Sequence, residues 1–161
     1  MPANDKQIIQ LFDAIRENQI DKITNLLNEG VDIYALSPDS PPNTNVLMFA
    51  AMFGTPQLIR LLVSRGADRR TGLPMIEGVV GGVDNLRTLL ELGGDPNQID
   101  WGARTPLMEA VDWVDVDCVK LLMEKGADPF WELPGVSTNA MKMALALGNQ
   151  SIIDLLMRKP A

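Results

Sequence analysis

The chain has 161 residues, 46% of them hydrophobic and 22% charged, which is enough for one cooperative domain and short for two ordinary ones. Fourteen Lys and Arg against 21 Asp and Glu give a formal net charge of −7, so attraction to nucleic-acid phosphates or to anionic lipid is disfavoured. There is no histidine and only one cysteine, Cys118, which excludes His-dependent nucleophilic and general-base chemistry, His-containing zinc sites and internal disulfides.

Residues 1–6 are polar and carry none of the apolar run of a secretion signal. The longest apolar stretch, Val46–Phe53, is too short to cross a bilayer. A soluble cytoplasmic protein without membrane association, monomeric when free, is the expectation.

Taken in chain order, the predicted elements repeat. A first helix over residues 8–18 is followed by a second ending in Leu26-Leu27-Asn28-Glu29-Gly30-Val31-Asp32. A Pro- and Ser-rich connector, residues 36–44, reads as an extended finger, because it has no basic residue spaced with paired prolines as a ligand for a proline-reading module would. Asn45-Val46-Leu47 then opens a helix with a capping asparagine, and its partner ends in Leu61-Leu62-Val63-Ser64-Arg65-Gly66-Ala67-Asp68. The third unit is the shortest, with five residues (69–73) between Asp68 and Pro74, and it ends in Leu89-Leu90-Glu91-Leu92-Gly93-Gly94-Asp95. Its hairpin is expected to be missing or cut to a tight turn. The fourth starts at Thr105-Pro106-Leu107, a cap followed by proline in the first helical position, and ends in Leu121-Leu122-Met123-Glu124-Lys125-Gly126-Ala127-Asp128. The fifth starts at Asn139-Ala140-Met141 and closes with a helix over residues 151–159.

Each of the first four units ends in a leucine-rich stretch, a glycine suited to the left-handed C′ position and an aspartate suited to a turn. The glycines Gly30, Gly66, Gly93 and Gly126 are spaced by 36, 27 and 33 residues. Small residues Ala14, Ala50, Ala110 and Ala144 mark where neighbouring helices approach closely. Gly78 falls at the same place in the third unit, and Gly81 matches Gly54 and Gly148 at the turn between helices. The run Gly78-Val79-Val80-Gly81-Gly82 therefore reads as packing and turn glycines; it lacks the lysine and serine of a phosphate loop, and no strand precedes it.

Thr105-Pro106-Leu107-Met108, Ala50-Ala51 with Gly54, and Gly66-Ala67-Asp68 together resemble the ankyrin repeat family over residues 5–160. The resemblance implies an all-α solenoid of five stacked helix-turn-helix units with short or irregular hairpin loops. One domain over residues 1–161 is expected, with repeats near 5–36, 37–70, 71–97, 98–130 and 131–161. The family histidine is replaced by Phe12, Met48, Met75, Met108 and Lys142, so its usual hydrogen bond to the connecting loops is expected to be lost.

The resemblance further implies a concave binding side to which the two residues after each small pair contribute. Here those are Arg16 and Glu17, Met52 and Phe53, Val79 and Val80, Asp112 and Trp113, and Ala146 and Leu147. Met52, Phe53, Val79, Val80 and Trp113 would make an apolar row of the kind that marks contact sites, unless they pack among themselves around the irregular third unit. Trp101, at the tip of the fourth hairpin, and Phe130 with Trp131, at the start of the fifth, add aromatic anchors. A core role for Trp131 beneath Leu133-Pro134-Gly135 is the alternative.

Ten acidic and three basic residues lie between Glu91 and Glu132, while the rest of the chain carries eleven of each. Asp112, Asp115 and Asp117 lack the loop glycine and the bidentate glutamate of a calcium loop, so no metal or other cofactor is expected; they form either a solvated acidic face or a patch for a basic partner. The function expected is non-enzymatic binding of another protein, as an inhibitor or toxin-neutralising immunity protein, with nothing further appended to the repeats. A scaffold or adaptor is the alternative, and a more distant one is an enzyme using Asp112 and Asp115 as acid and base.

Overall fold

A computed structural model of the chain describes residues 3–38, 43–67, 73–100, 102–132, 134–135 and 137–158. Among these, the first compact unit, Met1–Leu92, contains α1 (Ala3–Arg16), α2 (Ile20–Asn28), α3 (Val46–Phe53), α4 (Pro56–Ser64), α5 (Met75–Val80) and α6 (Val83–Glu91). The second, Gly93–Ala161, contains α7 (Pro106–Asp112), α8 (Val116–Glu124), α9 (Ala140–Leu147) and α10 (Gln150–Leu156). The expected all-α architecture is what forms: each first helix packs on its own second helix, and successive first helices pack on one another, α1 on α3 on α5 in one unit and α7 on α9 in the other. The second helices stack likewise, α4 on α6 and α8 on α10.

The helices form where they do because their ends are satisfied locally. Asn45 Oδ1 accepts from Met48 N at 2.9 Å, Thr105 Oγ1 from Met108 N at 3.2 Å and Asn139 Oδ1 from Lys142 N at 2.8 Å, so the three expected caps are all in use. At α7 the family histidine's place is taken by Met108, whose sulfur accepts from Thr105 N at 3.4 Å and completes a reciprocal cap. The expected loss of a histidine hydrogen bond is thus offset in part by a weak local one. Pro74 precedes α5 and offers no side-chain acceptor, and that helix is six residues long.

The opposite ends follow the glycine rule. Gly30, Gly66, Gly93 and Gly126 have φ of 90°, 88°, 97° and 85°. Around Gly66, Ala67 N donates to Leu62 O at 3.1 Å and Gly66 N to Val63 O at 2.8 Å, the paired bonds of a left-handed C-terminal cap. Two residues further on, Asp32, Asp95 and Asp128 accept through Oδ1 from the backbone N–H of Tyr34, Asn97 and Phe130. The next side chain then fastens one repeat to the following one. Tyr34 donates its hydroxyl to Gly66 O at 2.6 Å; Asn97 donates Nδ2 to Gly126 O at 3.0 Å and accepts from Asp128 N at 2.7 Å.

Ala14, Ala50, Ala110 and Ala144 are fully buried, as helix contact at those positions requires. A Cβ at Gly78 would lie 2.5 Å from Leu89 Cδ1, and one at Gly81 would lie 1.9 Å from the Ala51 carbonyl oxygen. The Gly78–Gly82 run is therefore packed against neighbouring helices. Beside it, buried Asn85 donates Nδ2 to both Ala51 O and Gly54 O at 3.0 Å, tying α6 to the end of α3.

Some expectations shift. The first helix begins at Ala3 and ends at Arg16, and the last ends at Leu156. The long connector closes as a short hairpin: Leu36 and Asn45 form an isolated antiparallel bridge, and Ser37 N donates to Thr44 O at 2.8 Å. Its tip, residues 39–42, and the shortened hairpin of the third unit, residues 68–72, lie outside the described residues.

Gly81→Ala should lower stability by about 2 kcal/mol or more, because the displaced neighbour is backbone. Gly82→Ala, with open space but φ 93°, should cost only about 1 kcal/mol of left-handed strain. Urea midpoints for the two variants test the order, and equal losses would contradict the close approach at Gly81. Cys118 is fully buried. Burial, then a hydrogen bond and charge from Asp115, push its thiol well above the ordinary range. A thiol held protonated in the fold contributes stability below its unfolded pKa of about 8.5, and that contribution is lost as pH rises beyond it. The stability difference between the wild type and Cys118→Ala should therefore narrow between about pH 8 and pH 10, and Cys118 should resist alkylation until urea opens the second unit.

Candidate protein-binding surfaces

In the first unit, exposure concentrates where α3 and α5 end. Phe53 is half exposed and Val80 exposed, whereas Met52 is only partly so. Val79 is 3% exposed and belongs to the interior, which corrects the expectation that it faces a partner. Val79 packs inward with Met75 and Gly78, while Val80, the last residue of α5, is left outside. Phe53 is the outer end of an aromatic ladder: its ring centroid is 4.7 Å from that of buried Phe49, which meets Phe12 edge-on at 5.1 Å. The Arg16 guanidinium lies over Phe49 at 5.3 Å. Phe53 therefore has one face committed to the core, and losing it costs stability.

The second unit exposes Trp113 (65%), Val114 (44%) and, at the end of α9, Leu145 and Leu147. Trp113 is the last residue of the first helix's final turn, and its position is fixed by side chains. Its Nε1–H donates to Glu109 Oε1 at 2.7 Å. Arg104 holds Glu109 Oε2 through NH2 at 2.9 Å and through Nε at 3.1 Å, and the same NH2 reaches Asp112 Oδ2 at 2.9 Å. Val114 has φ 56°, a left-handed conformation that a β-branched residue adopts only under strain. In the fifth repeat a glycine, Gly148, takes the matching turn at φ 65°.

The acidic residues divide by role. Asp112 is half exposed and paired with Arg104. Asp115 is the N-cap of α8, accepting from Asp117 N at 3.1 Å and Cys118 N at 2.9 Å, so its carboxylate is committed to the fold. Asp117 is the freest of the three, with a loose 3.7 Å pair to Lys120. Asp115 is thus a capping group as well as a charge, and with Asp112 engaged by Arg104 the two do not form the free acid and base pair of the more distant alternative. The spacing D-x-x-D-x-D carried no warning of it, because an aspartate before a helix reads equally well as a cap or as surface charge.

Phe130 is 59% exposed and Trp131 half-buried. Phe130 sits where Tyr34 and Asn97 fasten earlier repeats to the next glycine carbonyl, but phenylalanine has no donor with which to do so. Nearby, Glu132 accepts from Lys142 Nζ at 2.6 Å and Asn139 Nδ2 at 2.7 Å, and the Lys142 hydrogen bond holds its carboxyl below the usual range. Trp101 lies outside the described residues; beside it, Asp100 Oδ1 accepts from Gly102 N and Arg104 N at 2.8 Å. Val114 and Leu145 went unnoticed in the sequence, since an exposed apolar residue has the same letter as a buried one.

If Val114 stores strain, Val114→Gly should raise stability by about 1 kcal/mol, measured by urea unfolding. A loss would mean that the valine side chain contributes more by packing than its backbone costs.

The family model described as ankyrin repeats (3 copies) matches residues 11–130. The chain is 32% identical over 124 residues to the E3 ubiquitin-protein ligase KEG of Arabidopsis thaliana, a match covering 70% of this chain and 7% of that protein. It is 29% identical over 126 residues to a putative ankyrin repeat-containing protein of Treponema pallidum (strain Nichols), covering 74% of this chain and 41% of that one. The chain thus spans less than half the length of either relative.

Proposed function

The chain belongs to the ankyrin repeat family, and from that premise we propose that it is a non-enzymatic protein that binds another protein through the apolar residues exposed where its first helices end. Ankyrin repeats are general protein-protein interaction modules, and stacked repeats offer extended surfaces rather than closed pockets. The observation that carries the proposal is Trp113, exposed over 65% of its surface yet held by Glu109 and Arg104. A tryptophan that a partner can cover without first having to order it is the usual form of an interface hot spot. Phe53 and Val80 are the matching candidates in the first unit, and Phe130 and Trp131 are further ones in the second.

The partner we propose presents a basic surface, because the charge between Glu91 and Glu132 is strongly acidic. A small acidic binder of this kind would act by occlusion, as an inhibitor or immunity protein covering a basic working surface. Exposed apolar ends in both units favour a scaffold as the second reading, which would require two proteins held at once. No helix among the described residues is long and apolar enough to cross a membrane, and a cytoplasmic monomer is the setting proposed.

Trp113→Ala should weaken capture of the native partner by about 2 kcal/mol or more, roughly 30-fold, with little change in melting temperature. Unchanged binding with a large loss of stability would return Trp113 to a structural role. Replacing Asp112 and Asp117 by lysine, and sparing the Asp115 cap, should slow association and flatten its salt dependence, whereas lysines at Asp13, Glu17 and Asp21 should do much less. Equal effects from both sets would leave the acidic segment as solvated surface.

A further inference from the structure

The turn between α7 and α8 has chemistry more specific than an apolar contact. The Trp113 N–H is already spent on Glu109 Oε1 at 2.7 Å, and Arg104 braces Glu109 in turn at 2.9 Å. A partner is therefore offered the face of the indole, whose quadrupole attracts cations more strongly than that of any other aromatic side chain. The charge around the ring has the same preference. Of the side chains linked to it, Glu109 and Asp112 carry two negative charges against the single positive charge of Arg104. Asp112, the residue before Trp113, keeps about half its side chain in solvent.

A purely apolar partner would gain nothing from those carboxylates and an acidic one would be repelled; a cation gains from ring and charge together. Of the two common cations, a guanidinium stacks flat on an indole while its edge still donates to a neighbouring carboxylate, and it is less strongly hydrated than an ammonium. The carboxylates here already accept one guanidinium, since Arg104 NH2 is shared between Glu109 and Asp112 at 2.9 Å each.

We infer that Trp113, with Asp112 beside it, is a seat for a single arginine side chain presented by the protein partner, the indole stacking on the guanidinium and Asp112 accepting from its edge. Glu109 and Arg104 position the ring. This rests on the interaction function proposed above and names the side chain that it reads.

The test uses the full chain labelled with nitrogen-15 and two synthetic probes, the peptide acetyl-Leu-Arg-Leu-amide and the same peptide with citrulline for arginine. Citrulline keeps the shape and removes the charge. The Trp113 indole N–H resonance is identified by its loss in Trp113→Phe. The expected result is a saturable movement of that resonance with the arginine peptide, and binding at least about threefold weaker with the citrulline peptide. Raising the salt concentration should narrow the difference. A resonance that does not move with the arginine peptide, or that moves alike with both, overturns the arginine seat. That failure is separable from failure of the interaction function itself, which would show as capture of the native partner indifferent to Trp113→Ala.

Discussion

A helix of six to nine residues is nearly all ends. Its first four N–H groups and last four carbonyls have no partner inside the helix, so in α2 to α10 almost every peptide group faces that problem. The fold depends on solving it again in each repeat. Side chains of Asn45, Thr105, Asn139, Asn149 and Asp115 close the starts, and left-handed glycines close the finishes. The carbonyls still open at the joins are met from the neighbouring repeat, by Tyr34 at Gly66, Asn97 at Gly126 and Asn85 at Ala51 and Gly54. Hydrophobic burial holds the helices together, but it is non-directional and would accept many registers. The polar closures allow one.

Those closures also explain which parts of the structure could be read in advance. Thr105-Pro106, Asn45 and Asn139 before apolar runs, and glycine followed two residues later by aspartate, are local signals whose geometry is set within a few residues, and those among the described residues form as expected. The fastenings between repeats were not legible, because Tyr34 and Asn97 occupy the same position with different chemistry and act on a glycine about thirty residues away. Val79 was misjudged for a related reason. Its neighbour Val80 is the same letter, and which of the two turns inward is decided by packing of α5 on α3 and α6, which the letters do not carry.

The candidate surfaces follow from the same economy of ends. Each first helix stops where its last turn projects beyond its neighbours, and whatever residue stands there is exposed by geometry. Most proteins place a polar side chain at such a point. Here Phe53, Val80, Trp113 and Leu147 stand there instead, and at Trp113 the surrounding acids are arranged to hold the ring and its field together. The strained backbone at Val114 belongs to the same turn, so apolar exposure and conformational strain coincide at one place.

The fastenings that close the first and third repeats point forward along the chain. The Tyr34 hydroxyl finds its acceptor 32 residues later, at Gly66, and the Asn97 amide finds its own 29 residues later, at Gly126. A repeat leaving the ribosome therefore emerges with its closing hydrogen bond unmade, and at about 5–20 residues per second it waits roughly 1.5–6 s for the next glycine to be synthesised. At these two joins the following repeat completes the one before it. During that interval the most recently made pair of helices is the least secured part of the nascent chain, and a chaperone would meet it there.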